Sequence, residues 1–372
     1  MTKRNDEYLG FEQGPIRPPS EAASLLLRIS RNCPWNRCAF CPVYKGERFK
    51  PRPASHVKRD IDAVARHVQA LRQGAVARGS GGDDSLAAQA AAHWLSLGAQ
   101  SVFLQDADAL LYRQKDLVTL LLHLKSRFPW IVRVTTYARS ATVARLSAAD
   151  LERLRDSGLN RIHIGMESGS DKVLAQVAKG TTAEQQVEAG RKVIAAGIEL
   201  SEYVMPGLGG RAFSKVHAEE TARALNLIDP HFIRLRTLAL PGNAPLCAEF
   251  RAGEFVPLSD AEVAEELLRL LEGLDGISSR IKSDHILNLF EDLEGQLPDD
   301  KRKMVLIVER FLALSPRDRM RYQIGRRMGM LRRLDDLARP GPARMIDKII
   351  DSHAITPENV DRVIRETMTR FV

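Results

Sequence analysis

The sequence predicts an α/β fold, a partial (β/α)6 barrel of parallel strands with helices outside and a helical extension at its C-terminal end. Three observations predict it. Short apolar runs alternate with amphipathic segments from residue 24 to about 240, several of those segments open on helix-entry signatures, and the strand signal fades after residue 255.

The strand candidates are 24–30 (SLLLRIS), 101–106 (SVFLQD), 131–137 (IVRVTTY), 161–167 (RIHIGME), 198–205 (IELSEYVM) and 232–240 (FIRLRTLAL). Six strand–helix units of this kind build a partial barrel. Ser147 followed by Asp150, and Thr181 followed by Glu184, place a hydroxyl where it accepts an early backbone N–H of a helix. Residues 78–84 (RGSGGDD) read as a loop before a second helix. Ser259 with Glu262 opens the helix DAEVAEELLRLLEGL, and further helices are expected near 300–314, 317–338 and 343–371. The chain thus divides into a lead-in over 1–22, a core barrel over 23–255 and a helical, basic extension over 256–372. No repeat of fixed period is present.

Period-two alternation assigns faces. In RIHIGME, Ile162, Ile164 and Met166 suit packing under helices, which turns Arg161, His163, Gly165 and Glu167 towards the lumen. The same logic places Arg234 and Arg236 inside, where buried cations need an anionic partner from substrate, cofactor or protein. His163 reads equally well as a hydrogen-bonded core histidine and as a proton carrier.

The 372 residues are 44% hydrophobic, enough for one large core with an appended subdomain. No window approaches the roughly 18 uninterrupted apolar residues of a membrane span, and MTKRNDEYLG lacks an apolar signal core, so a cytoplasmic location without membrane association is expected. Residues 301–372 carry 17 Lys/Arg against 9 Asp/Glu, which accounts for the whole formal charge of +8. That asymmetry suits an anionic substrate or nucleic acid, and it suits equally a solvated helical face; no base-reading motif favours the former.

The chain has four cysteines, and three fall within nine residues. A secreted disulfide framework spreads its cysteines, so a clustered triplet in a reducing compartment points to metal. The segment RISRNCPWNRCAFCPVYKG has the spacing Cys33-x4-Cys38-x2-Cys41, directly after a predicted strand. Three thiolates on one tight loop suit three irons of a 4Fe–4S cubane and leave the fourth iron for an external ligand. A structural zinc site wants four protein ligands, and Cys247 is isolated; it reads as a buried free thiol.

With these residues the sequence resembles the radical S-adenosylmethionine (radical SAM) superfamily, whose partial TIM-like barrel agrees with the predicted fold. The resemblance covers about residues 20–255 and includes Phe40, the aromatic before the last loop cysteine. The commonest superfamily loop has three residues between its first two cysteines; this one has four. The likeness is closer still to an uncharacterised branch sharing RPPSEAASLLLRISRNCPWNRCAFCPVYKG, FLQDADAL, NRIHIGMESGSD, SEYVMPGLGG, FIRLRTLALPG and SDHILNL followed by LPDDK, in that order.

The resemblance implies a 4Fe–4S cluster on Cys33, Cys38 and Cys41 that binds S-adenosylmethionine and reductively cleaves it. The resulting 5′-deoxyadenosyl radical takes a hydrogen atom from a substrate that the sequence does not identify. It implies a reducing partner such as flavodoxin or ferredoxin. Carried over by position, Phe40 packs by the adenine, Asp106 meets the methionine amino group, Glu167 contacts the cofactor and Lys179 meets its carboxylate. Each has an ordinary alternative: a core aromatic for Phe40, a helix cap for Asp106 (with Asp108 as rival), a structural salt bridge for Glu167, an exposed loop lysine for Lys179. Tyr137 and Arg139 are further candidates. PGLGG (206–210) brings backbone close to the adenine or is a plain turn. Ser283, Asp284, His285 and Asn288 either cap the barrel mouth or start a helix. Two rival functions remain: a non-catalytic iron–sulfur electron carrier, and a zinc-stabilised nucleic-acid-binding module.

Overall fold

The computed structural model describes residues 7–74 and 84–368. The expected loop at 78–84 lies, but for Asp84, outside the described residues. In chain order the elements are β1 (Leu25–Arg28), β2 (Ser30–Arg31), β3 (Lys50–Pro51), α1 (Ala54–Arg72), α2 (Ser85–Ser96), β4 (Ser101–Gln105), α3 (Gln114–Arg127), β5 (Arg133–Ala138), α4 (Ser140–Val143), α5 (Ala148–Asp156) and β6 (Arg161–Glu167). There follow α6 (Asp171–Gln176), α7 (Ala183–Ala195), β7 (Glu199–Val204), α8 (Gly210–Ile228), β8 (Phe232–Leu235), α9 (Leu246–Arg251), α10 (Asp260–Gly273), β9 (Arg280–Lys282), β10 (Gly295–Gln296), α11 (Lys301–Leu312), α12 (Pro316–Arg327), α13 (Pro340–Ser352) and α14 (Val360–Met368).

The fold class is the expected mixed α/β one. One mostly parallel sheet of eight strands runs β1-β4-β5-β6-β7-β8-β9-β10, and β2 pairs with β3 in a separate ribbon. The six predicted barrel strands are all present. β9 and β10 are additions: β9 extends the sheet in parallel beside β8, and β10 returns antiparallel to it. They are three and two residues long, too short for a period to register in sequence.

The chain forms two compact units, the described parts of Met1–Asn36, Val43–Ile164 and Glu188–Leu200, and those of Arg37–Pro42, Gly165–Val187 and Ser201–Val372. In the first unit, β1, β4 and β5 stack in parallel register (Leu27 opposite Leu104, Phe103 opposite Thr135), and Tyr137 stands opposite His163 of β6. Every residue of β4 is buried, as expected of a parallel strand covered on both faces. Helix α1 packs on α2 and α3. Trp94 anchors this layer, edge-on to Phe128 and donating its indole N–H to the Ser101 carbonyl at 2.8 Å.

In the second unit, β7, β8 and β9 are parallel, α10 lies against α8 and α11, and Phe290, Phe311 and Tyr322 form an aromatic core. Two expected helix starts carry capping boxes: Asp150 N–H donates to the Ser147 hydroxyl at 3.1 Å and Glu262 N–H to that of Ser259 at 3.2 Å. The third shifts by one residue, since Thr182, not Thr181, accepts from Gln185 N–H at 3.2 Å. The single helix expected over 317–338 is α12 followed, after Gly329 (φ 71°), by a 3-10 turn over Leu334–Ala338. The one expected over 343–371 is the pair α13 and α14.

Candidate active site

The cysteine loop begins in the first unit. Asn32 (φ 69°) and Asn36 (φ 47°) both take the left-handed conformation that asparagine tolerates best among side-chain-bearing residues. Asn36 N–H points at Cys33 Sγ at 3.4 Å. Lys45 Nζ donates to Asn36 O at 2.8 Å and Asn32 Nδ2 to Arg48 O at 2.7 Å, so residues 44–48 brace the loop. Asn36 sits inside the four-residue spacer, where its tight turn absorbs the added length.

The loop's second half belongs to the other unit. Ala39 N–H donates to Val177 O and Leu246 N–H to Ala39 O, both at 2.9 Å, and Cys41 N–H closes a turn on Cys38 O at 3.3 Å. Ala39 is buried with Val173, Val177, Met205, Leu208, Leu246 and Phe255, and Phe40 packs against that cluster. Cys33, Cys38 and Cys41 are half-buried, Cys247 is buried, and none is in a disulfide. Among the described residues no three His, Cys, Asp or Glu side chains converge as ligands of one mononuclear ion do. A cubane makes a different demand, since each thiolate takes its own iron.

Three of the four expected cofactor contacts come together in the second unit. Glu167 ends β6 at φ 62°, a conformation that costs a non-glycine residue energy and is found where function holds it. Its Oε1 accepts from Lys179 Nζ at 3.0 Å, and that ammonium lies 5.7 Å from the centre of the Phe40 ring. Lys179 is buried rather than exposed, so the exposed-loop reading of it is overturned. Gly165 makes room for the pair: a Cβ there would fall 2.4 Å from Glu167 Oε1 and 3.1 Å from Lys179 Nζ.

Glu202 of β7 joins them. It is 0% exposed, and neither carboxyl oxygen has a hydrogen-bond partner. Burial holds its carboxyl well above the usual range, the Lys179 charge opposes that rise, and the Glu167 charge adds to it. Sequence reasoning passed over it as one more strand residue; an acidic side chain inside the apolar run IELSEYVM was the available signal.

Asp106 lies in the first unit, buried at the end of β4. Its Oδ2 accepts from Arg28 Nε at 2.8 Å, while Oδ1 has no partner. Burial raises its carboxyl above the ordinary value, against the Tyr44 hydroxyl and the Arg28 charge. Its rival Asp108 accepts from Thr142 Oγ1 at 2.6 Å and Arg139 N–H at 3.4 Å beside α4; burial pushes it up to about 6. Tyr137 packs edge-on against Phe103, and the Arg139 guanidinium lies 4.8 Å from the Trp35 ring centre. His163 is fully buried with Nε2 3.3 Å from Glu21 Oε1, the situation of a core histidine.

Arg234 finds its anion in Asp284 and donates to Ser201 Oγ at 3.0 Å. Asn288 clamps the end of β8, accepting from Thr237 N–H at 2.9 Å and donating to Leu235 O at 2.8 Å. No helix starts at Ser283, whose hydroxyl donates to Phe290 O. Burial and the Arg236 charge lower His285 to about 4, so it is neutral at physiological pH. In PGLGG, Gly207 N–H donates to Glu266 Oε1 at 2.7 Å, and a Cβ on Gly210 would meet Phe255 at 2.8 Å.

The family model of the Radical SAM superfamily matches residues 27–219. The chain belongs to the radical SAM superfamily. This radical SAM protein is 28% identical over 188 residues to 4′-phospho-dehydrooxetanocin synthase of Priestia megaterium, a match spanning 48% of this chain and 22% of that relative. Among solved structures, methylornithine synthase (PylB) aligns over 77% of this chain and 71% of its own at 15% identity and TM-score 0.43. The Elp3 protein of Methanocaldococcus infernus aligns over 62% and 54% at 14% identity and TM-score 0.42. Among the described residues no helix is long and apolar enough to cross a membrane.

Proposed function

We propose that this radical SAM enzyme carries a 4Fe–4S cluster on Cys33, Cys38 and Cys41 and binds S-adenosylmethionine with Phe40, Asp106, Glu167 and Lys179. The observation that carries the reading is the buried Lys179–Glu167 pair under the half-buried Phe40 ring, with Glu202 left unsatisfied beside it. Buried polar groups are almost always hydrogen-bonded, so orphaned ones mark where a ligand completes the set. Bound together, cluster and S-adenosylmethionine supply a 5′-deoxyadenosyl radical that takes a hydrogen atom from substrate.

The chain's own work is placement. Lys179 offers an ammonium to the methionine carboxylate and Phe40 a ring face to the adenine. Glu167 accepts from a donor of the cofactor, and the unpaired Oδ1 of Asp106 suits the methionine ammonium, with Arg28 fixing the other oxygen. Residues 23–255 are taken as the catalytic core and 256–372 as its helical, basic extension; a flavodoxin or ferredoxin supplies the electron, in the cytoplasm. An anionic substrate accords with the tail's exposed arginines.

The test is anaerobic reconstitution followed by dithionite and S-adenosylmethionine, with chromatographic assay of 5′-deoxyadenosine. Wild type should release it, and Cys33→Ala, Cys38→Ala and Cys41→Ala should lose both the product and their iron and sulfide, whereas Cys247→Ala should keep them. Normal iron and sulfide in any triplet variant overturns the ligand assignment. A loaded cluster that never yields the nucleoside favours an electron carrier instead.

A further inference from the structure

Glu167 sits in a turn that its own side chain does not account for. Ser168 N–H donates to Met166 O at 2.8 Å, which makes Glu167 the middle residue of a γ-turn, and its φ of 62° is that of the rare, strained form. Such a turn persists only where the surroundings over-determine it. The chain on either side of Glu167 is gripped from α8, chiefly by His217, a residue that the chemistry proposed above leaves unused.

His217 is 2% exposed and engages both ring nitrogens. Nδ1 lies 2.8 Å from Oγ of Ser168, the residue after Glu167, and Nε2 lies 3.1 Å from Met205 O just beyond β7. Met205 in turn donates its N–H to Glu167 O at 2.9 Å. A carbonyl oxygen only accepts, so the ring hydrogen belongs on Nε2. Nδ1 is then the acceptor for the Ser168 hydroxyl, which itself accepts from Ser170 N–H at 3.0 Å. One histidine thus reaches the strained residue from both sides. One turn further along α8, Thr221 Oγ1 accepts from Gly169 N–H at 2.9 Å, and a Cβ on Gly169 would fall 2.5 Å from Glu220 O. Gln186 Nε2 donates to Ser168 O at 2.8 Å. Ser168, Gln186, His217 and Thr221 are each no more than 2% exposed, so the clamp touches no ligand and acts only on the backbone that carries Glu167.

We propose that His217 is a positioning residue of the cofactor site: through Ser168 and Met205 it fixes the turn at Glu167 and so aims that carboxylate at S-adenosylmethionine. This rests on the reading of Glu167 as a cofactor contact.

The experiment compares Ser168→Ala and His217→Leu, which release the turn, with His217→Asn, whose amide stands near the place of Nδ1 and can still accept from Ser168. In the full chain before reconstitution, hydrogen exchange read by mass spectrometry should quicken at least about tenfold across residues 168–170 in the two releasing variants, and stay near wild type in His217→Asn. After reconstitution, S-adenosylmethionine affinity by anaerobic titration should fall about tenfold in the releasing variants with iron and sulfide unchanged, and return to within about threefold of wild type in His217→Asn. In a Glu167→Gln background, His217→Leu should add less than about twofold, because the carboxylate it aims is gone. A residue that only stabilised the fold would add its full factor again, and that result overturns the proposal. So does wild-type exchange in both releasing variants, or an unchanged affinity in both when Glu167→Gln alone has weakened binding. Unchanged affinity in Glu167→Gln itself overturns the cofactor reading, and the positioning role with it. Should His217→Leu fail to fold, Ser168→Ala takes its place in the same cycle.

Discussion

The end of β6 and the segment from Arg317 to Arg333 are both rich in charge, and they treat it in opposite ways. In the basic segment each buried or half-buried guanidinium is met by the protein itself. Arg327 reaches Asp260 at 2.6 Å, Arg326 reaches Glu291 at 3.5 Å, Arg321 forks onto Asp347 at 2.7 and 2.5 Å, and Arg319 donates to Leu312 O at 2.6 Å. Around Glu167 the protein stops short: the backbone is held at positive φ, and Glu202 is buried with neither oxygen bonded. A charge given a protein partner, even where one Nε is left over as in Arg319, Arg326 and Arg327, is scaffold; a carboxyl with no partner at either oxygen is where a ligand belongs. Net charge, the louder signal in the sequence, marks the first kind of region here.

The widest separation comes from paired substitutions of equally buried groups. Arg327→Met leaves Asp260 buried without its cation and should cost about 3–5 kcal/mol in urea unfolding. Glu202→Gln breaks no bond and should not destabilise the fold at neutral pH. With burial raising the folded pKa of Glu202, the native state keeps a proton that the unfolded chain has released. Its contribution is therefore full below the ordinary carboxylate range and is lost as pH rises through the raised value. The amide removes that loss, so Glu202→Gln should gain on wild type as pH increases. Equal destabilisation by the two substitutions would erase the distinction drawn between the regions.

Asp108 supplies a control in which burial is matched by hydrogen bonds. Its carboxyl rises from 3.8 to about 6, so the same sign applies: stability is full below about pH 4 and falls until about pH 6. The difference amounts to about 3 kcal/mol. Asp108→Asn, which can still accept from Thr142, should flatten the stability–pH curve over that interval. A curve of unchanged slope would assign the titration to another group.

Much of this was legible from the chain because it is local. Parallel strands buried on both faces leave continuous apolar runs, and all six were read within a few residues. The cysteine spacing and the Phe40, Glu167 and Lys179 positions lie inside short motifs. What escaped was long-range. Glu21 meets His163 across 142 residues and Gly14 N–H meets Gln105 Oε1 across 91, pairings no periodicity announces. β9 takes its place from β8, and its own three residues would not specify a strand. Glu202 escaped for another reason: one acidic residue in a strand normally faces water, and its place in the apolar run IELSEYVM was the single hint of burial.

Among the expected cofactor contacts, Glu167→Gln sharpens the comparison at smaller scale. Lys179 keeps an oxygen to donate to, so iron and sulfide content should hold, while S-adenosylmethionine affinity by anaerobic titration should fall about tenfold, or roughly 1.4 kcal/mol. Unchanged affinity removes Glu167 from the site.

The smallest effect belongs to the basic segment's most regular ion pair. Arg321 forks onto Asp347, joining α12 to α13, and both side chains remain a quarter or more exposed. Fork geometry is the best case for a surface pair, yet water still solvates both charges and long side chains lose freedom in holding it. Arg321→Ala should therefore cost no more than about 1 kcal/mol, a loss that shrinks further as salt screens the pair. A loss that matches Arg327→Met and ignores salt would mean that this end of the extension is held by charge rather than by packing, and the contrast between exposed and buried arginines would fail with it.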